Sequence, residues 1–398
     1  MNVNSVKIAE KRFESPSISN LGIQAWGANN LYPQEITNII ACSDSASSCI
    51  GRYISFIQGN GFKDIAFSET VLNRLNETAD DLIQLISNDV ANFYGLSIHV
   101  NYNVFGEISE IFHVPFENCR LCEENTDGIV TKIAVHPDWT GRLKRNGRLI
   151  RVSKENIDYI NIFNPDKNIV QRQIELAGGI ENYKGQILWV SNKGKQTYSL
   201  PKYDSVISQM STEEGVGNID YRNARCGFQP AAILITRKGQ NTVTELDEGV
   251  RSSIDVGFEI QKRLSELQSD INTSKILHYE IENEEEEPKF IKMQSQNYDK
   301  EYTVTSEKCE SKIYSAFGQE IFYRLKNGSI GFSSDMITQA YEYYSTITNN
   351  ERRMIERSFD KIFKYFKPSA MQTSNFEIQP LKYEAKDSNN NTNAVNIA

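Results

Sequence analysis

Apolar residues recur at helical spacing in three stretches near the N-terminus. They lie at about residues 34–41, 45–57 and 68–93, after a polar segment, residues 1–25, that we expect to be a flexible arm. Gly59 is the expected C-cap of the second helix. The buried stripe predicted for the third helix consists of Leu72, Leu75, Ile83, Ile86 and Val90. The chain therefore begins with helices.

Between about residues 95 and 190 the pattern changes to short β-prone runs separated by Gly, Pro, Asn or Asp. The predicted strands are residues 96–102, 108–114, 129–135 and 157–163. Asn146 and Gly147 have the composition of a two-residue hairpin turn. Helices followed by a β-rich segment predict an α+β fold.

The second half of the chain mixes long helical patterns with short strands. The predicted helices are residues 201–225, 244–268, 303–318, 335–346 and 349–366. The predicted strands are residues 231–236, 275–281, 289–294 and 376–381. A Gly-rich polar loop, residues 323–334, separates two of the helices, and the last dozen residues are Asn-rich and expected to be disordered.

Composition limits the function classes. With 398 residues and 39% hydrophobic residues, the chain can form two or three folded domains. The longest aliphatic run, residues 231–235, is too short to cross a bilayer, and no secretory signal is visible at the N-terminus. We therefore expect a protein made in the cytoplasm, with no membrane partner.

Motifs for catalysis and metal binding are missing from the sequence. It contains no phosphate-binding GxxxxGK[ST] loop, no GxSxG elbow and no HExxH pair. Cys119 and Cys122 form the only CxxC, and the four histidines supply no partner pair at ligand spacing for a zinc site. We expect reduced thiols, no cofactor, no metal and no enzymatic activity.

Charge is the next constraint. The net charge of −9 argues against tight, non-specific binding of nucleic acid. Acidic residues concentrate between two predicted strands, at Glu282, Glu284, Glu285, Glu286 and Glu287. This run fits a solvated hairpin tip, or a surface that repels DNA or docks basic partners. A Mg²⁺ site is the third interpretation, although consecutive glutamates point in different directions and form a poor cage.

Four groups of segments occur along the chain in a characteristic order. They are WGANNLYP (26–33) with IQGNGF (57–62), YG (94–95) with HVP (113–115), NARCGFQP (223–230) before a strand, and KIYSAFG (312–318) before the Gly-rich loop and AYEYY (340–344). In these segments, which cover about residues 26–382, the chain resembles the portal proteins of tailed bacteriophages and prophages. The resemblance implies a closed ring of about twelve subunits at one capsid vertex, through which double-stranded DNA is packaged and ejected.

The resemblance also implies a protomer of several parts. They are an N-terminal arm (1–25), a wing (26–202 and 335–382), a first stem helix (203–228), an α/β clip (229–297), a second stem helix (298–318), a tunnel loop (319–334) and a disordered tail (383–398). Because little sequence follows Lys382, the C-terminal crown is expected to be reduced or absent.

The expected functional residues follow from this assignment. In the tunnel loop, Arg324, Lys326, Asn327 and Ser329 would contact DNA phosphates without reading sequence, and the acidic run would lie on the clip as a partner or channel surface. The implied partners are other copies of the chain, the terminase large subunit, the major capsid protein or scaffold, a head–tail adaptor and passing DNA. The implied location is the virion, after assembly in the bacterial cytoplasm. The alternatives are another ring or adaptor of the head–tail junction and a metal-dependent nuclease.

Overall fold

The structure, a computed structural model, describes most of the N-terminal half of the chain and several segments of the rest. The described residues are 15–142, 144–145, 148–149, 151–192, 196–226, 230–237, 275–281, 298–328, 333–366, 371–372 and 374–383. The chain divides into two compact units: residues 1–210 with 310–398 form one, and residues 211–309 form the other. Helices and a mixed sheet both occur, so the α+β fold class is confirmed.

The described helices agree with most of the helical patterns. They are α1 (Tyr32–Cys42), α2 (Asp44–Gln58), α3 (Ile65–Ser68), α4 (Ala79–Phe93), α5 (Lys167–Leu176), α6 (Ile207–Cys226), α7 (Tyr298–Ala316), α8 (Glu320–Lys326), α9 (Ser334–Ile347) and α10 (Asn349–Phe363). Helix α2 begins where the Ser43 side chain accepts from the Ala46 N–H and ends at Gly59, whose φ is 62°. The sequence does not predict α5.

A six-stranded mixed sheet forms the middle of the larger unit. Its strands are β3 (Gly95–Tyr102), β4 (Ile108–His113), β5 (Cys119–Leu121), β6 (Lys132–Val135), β9 (Asp158–Ile162) and β10 (Gln186–Ser191), in the order β4-β3-β10-β9-β6-β5. In this sheet, over the residues that the structure describes, the β10–β9 pair is parallel and the other pairs are antiparallel. Strand β10, which the sequence analysis misses, joins the β3–β4 hairpin to the other strands. Two short strands, β7 (Lys144–Arg145) and β8 (Arg148–Leu149), pair antiparallel on either side of the predicted hairpin turn.

The third predicted helix is wrong in its first half. The chain leaves α3 at Ser68 and does not become helical again until Ala79, where Thr78 and Asp81 form a reciprocal capping box. Leu72 is buried, but Leu75 is 67% exposed and does not belong to the core. The helical spacing of these leucines is therefore coincidental, because the capping box sets where α4 begins.

Part of the predicted N-terminal arm is ordered. Strand β1 (Ser17–Ile18) pairs with β2 (Ile23–Gln24), and the side chain of Ile23 is fully buried. Ile23 also forms an antiparallel bridge with Cys122 beside β5. The expectation of a loose arm over residues 17–25 is thus wrong, and residues 1–14 lie outside the described part of the chain.

Aromatic side chains dominate the core between the helices and the sheet. Trp26 stacks on Tyr198 with ring centroids 4.6 Å apart, and Phe116 stacks on Trp189 at 4.0 Å. Helix α10 inserts fully buried side chains into the same core: Ile355, Phe359, Ile362 and Phe363. A core of large rings accounts for the high content of Tyr and Phe in this sequence.

In the smaller unit, β11 (Pro230–Arg237) pairs with β12 (Lys275–Ile281) in parallel. The sequence pattern instead predicts that residues 275–281 pair around the acidic run with residues 289–294. The latter lie outside the described residues, as does the predicted helix 244–268. Parallel pairing requires a crossover connection, which a helix commonly supplies. Helix α6 continues through Gly215 and Gly217 without interruption.

The C-terminal prediction is partly wrong. Residues 376–381 form no strand; they make a single antiparallel bridge from Ile378 to Phe62. The Gln379 carbonyl accepts the Asn60 N–H at 2.8 Å, which ties this segment to the end of α2. The predicted disordered tail lies almost wholly outside the described residues. Among the helices that the structure describes, none has the length and apolar character required to cross a membrane.

Candidate nucleic-acid interface

The predicted tunnel loop begins as a helix. Helix α8 includes Arg324 and Lys326 in its last turn, so the expectation that both lie in a loop from Tyr323 onwards is wrong. Asn327 follows directly as the C-cap residue, and Ser329 lies outside the described residues. The helix forms because its inward side packs on the core: Leu325 is buried, and Phe322 is partly buried.

A sharp corner joins α7 to α8. Gly318 has φ of +67°, and the Gln319 N–H donates to the Tyr314 carbonyl at 2.8 Å, which closes the end of α7. The ring of Phe317, one residue earlier, stacks on Tyr203 with centroids 4.8 Å apart. The corner is therefore fixed both by its backbone conformation and by aromatic packing.

Gln319, at the start of α8, is fully buried and uses both ends of its amide. Its Nε2 donates to the Cys49 carbonyl and to the Tyr344 hydroxyl, each at 2.8 Å. Its Oε1 accepts from Nη1 of Arg52, whose guanidinium lies 4.7 Å from the centre of the Phe322 ring. These contacts hold α8 against α2 and α9.

The two candidate cations differ in their surroundings. Lys326 forms an ion pair with Glu310 of α7, and its Nζ lies 5.9 Å from the centre of the Tyr314 ring. Arg324 is exposed, and the structure gives it no hydrogen bond or ion pair with a described residue. Arg324 is therefore the more available of the two for an anionic partner, whereas a phosphate would compete with Glu310 for Lys326.

An exposed guanidinium on a rigid helix can contact a phosphate by charge and hydrogen bonding without reading bases. Both cations also lie at the C-terminal end of α8, where positive charge complements the helix dipole, so they serve the helix itself as well. The chemistry available here is weak, salt-sensitive attraction of a polyanion.

The other candidates lie elsewhere or serve structure. The acidic run, Glu282 and Glu284 to Glu287, lies outside the described residues. Burial raises the pKa of the Cys119 thiol to about 12 and that of Cys122 to about 11. Within the described part of the chain no group of three His, Cys, Asp or Glu side chains is arranged to hold a metal ion.

The CxxC segment contains a buried cation, Arg120, between its two cysteines. The guanidinium of Arg120 is fully buried and donates to the side chain of Asn30 and to the carbonyls of Asn30, Glu117 and Cys119. Desolvation lowers its pKa to about 10. These bonds attach β5 to the turn before α1.

The sequence does not predict a functional role for a row of cations on α10, which consists of Arg353, Arg357 and Lys361. Their spacing of four residues is readable in the sequence, but only the structure shows that the three face one groove.

Comparison with known proteins gives structural likeness without a family assignment. No protein-family profile and no curated protein matches the chain. Solved structures that resemble it, each with TM-score 0.46 and 9% identity, include "Virion of native gene transfer agent (GTA) particle", covering 89% of this chain and 85% of that one. A second is "Neck of native GTA particle computed with C12 symmetry", at 88% and 86%. A third is "Neck of empty GTA particle computed with C6 symmetry", at 93% and 89%.

Proposed function

We propose that this chain is a structural protein of a phage-like head-to-tail junction, and specifically the portal protein. It assembles into a ring of about twelve subunits at one capsid vertex, and double-stranded DNA passes through the ring. One observation carries the proposal: along the chain, a separate unit, residues 211–309, interrupts the larger unit, and a long helix crosses each boundary in the sequence. The portal resemblance predicts this arrangement, a wing interrupted by a clip with a stem helix on either side.

The inserted unit supports ring assembly on physical grounds. Its described sheet consists of β11 and β12 alone, and a two-stranded sheet is marginally stable without further packing. Side-to-side contacts that close into a ring give each copy a neighbour on both sides. Assembly is therefore expected to stabilise the inserted unit more than the larger one.

In this function Arg324 and Lys326 contact passing DNA weakly, so that the duplex can move. The chain has no nucleotide-binding motif, and the terminase motor supplies the energy for packaging. The acidic run, Glu282 and Glu284 to Glu287, repels DNA from the clip or docks terminase and the head–tail adaptor. The capsid protein or scaffold contacts the wing. The protein is then part of the virion, after assembly in the host cytoplasm.

Negative-stain electron microscopy of the purified full-length chain tests the proposal. Ring-shaped particles with a central hole wide enough for a DNA duplex are expected. Rings of another subunit number would favour a different junction protein, although such adaptors are usually much shorter than 398 residues. Cleavage of plasmid DNA that requires Mg²⁺ and is lost when Glu284 to Glu287 are changed to Gln would instead support the nuclease alternative.

A further inference from the structure

We propose that a basic groove beside helix α10 binds the phosphodiester backbone of a nucleic acid. The inference rests on the proposed function, to which it adds a DNA contact outside the channel-facing segment. The groove, with a volume of about 450 Å³, lies between α10, the end of β10 and the C-terminal end of α4. Its polar lining includes Arg353, Arg357, Lys361, Asn192, Asn350 and Ser191.

Helix α10 presents its cations as a row along one side, inclined to the helix axis. Arg353, Arg357 and Lys361 are spaced by four residues, which corresponds to steps of about 6 Å along a helix. All three are exposed, and the structure gives none of them a hydrogen bond or ion pair with a described residue. The opposite face of α10 is locked into the core by Ile355 and Phe359. The row is therefore rigid and open to a ligand.

Two of the three carboxylates of α10 are engaged away from this row, and the third, Asp360, is exposed but is not among the residues that line the groove. Glu351 is fully buried, where it accepts from the Tyr53 hydroxyl and pairs with Lys202. Glu356 accepts the Ile378 N–H at 2.9 Å. The lining of the groove contains no aspartate or glutamate. Three positive charges therefore face the groove without an acidic group among its lining residues.

The opposite wall supplies neutral hydrogen-bonding groups on fixed backbone. Asn192 is exposed at the end of β10, and its N–H donates to the Tyr94 carbonyl at 3.1 Å. Tyr94 is the C-cap of α4 in the left-handed conformation, with φ of 55°. Arginine forks, amides and hydroxyls are the groups that proteins use on nucleic-acid phosphates. An acidic protein partner would more commonly require a central apolar pocket for an anchoring side chain, whereas Val190 and Met354 are the two aliphatic side chains in this lining.

Binding of the full-length protein to a fluorescent DNA duplex, measured over a series of salt concentrations, tests the inference. The triple variant R353Q/R357Q/K361Q removes the row, and R151Q/K154Q/R172Q removes two arginines and one lysine that are exposed elsewhere. Each lost phosphate contact lowers the slope of log affinity against log salt by about 1. We expect the slope to fall by about 3 in the groove variant, with an affinity loss of about tenfold or more at low salt. The control variant should lose much less.

A second readout locates the contact. The Lys361 amine is modified with an acetylating reagent in the wild-type protein, and peptide masses give its reaction rate with and without DNA. DNA should protect Lys361 and leave Lys154 reactive. Equal slopes for the wild type and the groove variant, or equal reactivity of Lys361 with and without DNA, would overturn the inference.

Two further outcomes would also overturn it. If inorganic phosphate displaces the duplex at an ionic strength at which chloride does not, the groove is a site for free phosphate. If the groove variant loses binding of a fluorescent oligoglutamate peptide but keeps binding of DNA, the partner is an acidic protein. Electron microscopy of the same variants separates the two proposals. Rings without groove-dependent DNA binding reject only the groove. Groove-dependent DNA binding by a protein that forms no rings, alone or with capsid and scaffold proteins, rejects only the portal.

Discussion

Gln319 donates a hydrogen bond from Nε2 to the hydroxyl of Tyr344 at 2.8 Å, and Tyr344 in turn donates to the Phe317 carbonyl at 3.1 Å. The amide thus links the start of α8 to α9 inside the core. This pair of residues therefore anchors the N-terminal end of the helix that carries Arg324 and Lys326.

Changing Gln319 to Leu should destabilise the larger unit. The substitution leaves the Cys49 carbonyl without its donor and removes an acceptor from Arg52 in a buried site. The expected loss is about 1–3 kcal/mol in the free energy of unfolding, measured by urea denaturation. Gln339→Leu on the exposed side of α9 is the matched control. Equal stability of the two variants would contradict the role given to Gln319.

Gly95 should not tolerate a side chain. A methyl group at Gly95 would lie 2.3 Å from Cζ of Phe116, whose ring is held between Trp26 and Trp189. Gly95→Ala should therefore lower the unfolding free energy by about 1–3 kcal/mol, or by more if the ring cannot shift. Gly51→Ala, at an open position of α2 with no atom within 4 Å, should be neutral or slightly stabilising. A Gly95→Ala protein as stable as Gly51→Ala would refute this packing.

His99 should make stability dependent on pH. Desolvation lowers the pKa of His99 below its ordinary value of 6.5, although its Nε2 lies 2.7 Å from the Lys184 carbonyl. Because the unfolded chain then binds the proton more readily, stability is lost as the pH falls below about 6.5. His99→Gln should flatten this dependence in urea midpoints measured between about pH 8 and pH 5.5. An unchanged slope would show that other groups cause it.

The two cations of α8 should differ in their effect on DNA. Arg324→Gln should lower the salt slope of duplex binding by about 1. Lys326→Gln should change it less, since Glu310 already neutralises Lys326. Fluorescence anisotropy across a salt series measures both. A larger effect at Lys326 than at Arg324 would mean that the Glu310 pair opens when DNA binds.

Much of the fold could be predicted because its signals are local. The helical spacing of apolar residues predicts α1 and α2. Gly59 predicts the end of α2 because glycine readily adopts the positive φ that a helix C-terminus often requires. The break before α4 was missed because the capping box of Thr78 and Asp81 outweighs the apolar spacing of Leu72 and Leu75. Strand β10 was missed because its place in the sheet depends on distant partners in β3 and β9.

The candidate site was harder to predict for the same reason. Arg324 and Lys326 looked like loop residues beside a glycine-rich segment, and nothing nearby in sequence reveals that Gln319 bonds to Cys49, 270 positions away. For the cations of α10, the sequence shows only that they recur every four residues. Their common groove requires Asn192 and Tyr94, which come from another part of the chain.

The mass of the purified full-length protein in solution, determined by light scattering, tests the central claim most directly. A ring of about twelve subunits predicts a particle of about twelve times the chain mass of 45.4 kDa. A protein that remains a monomer at high concentration, and that stays monomeric when mixed with capsid and scaffold proteins, would contradict the account.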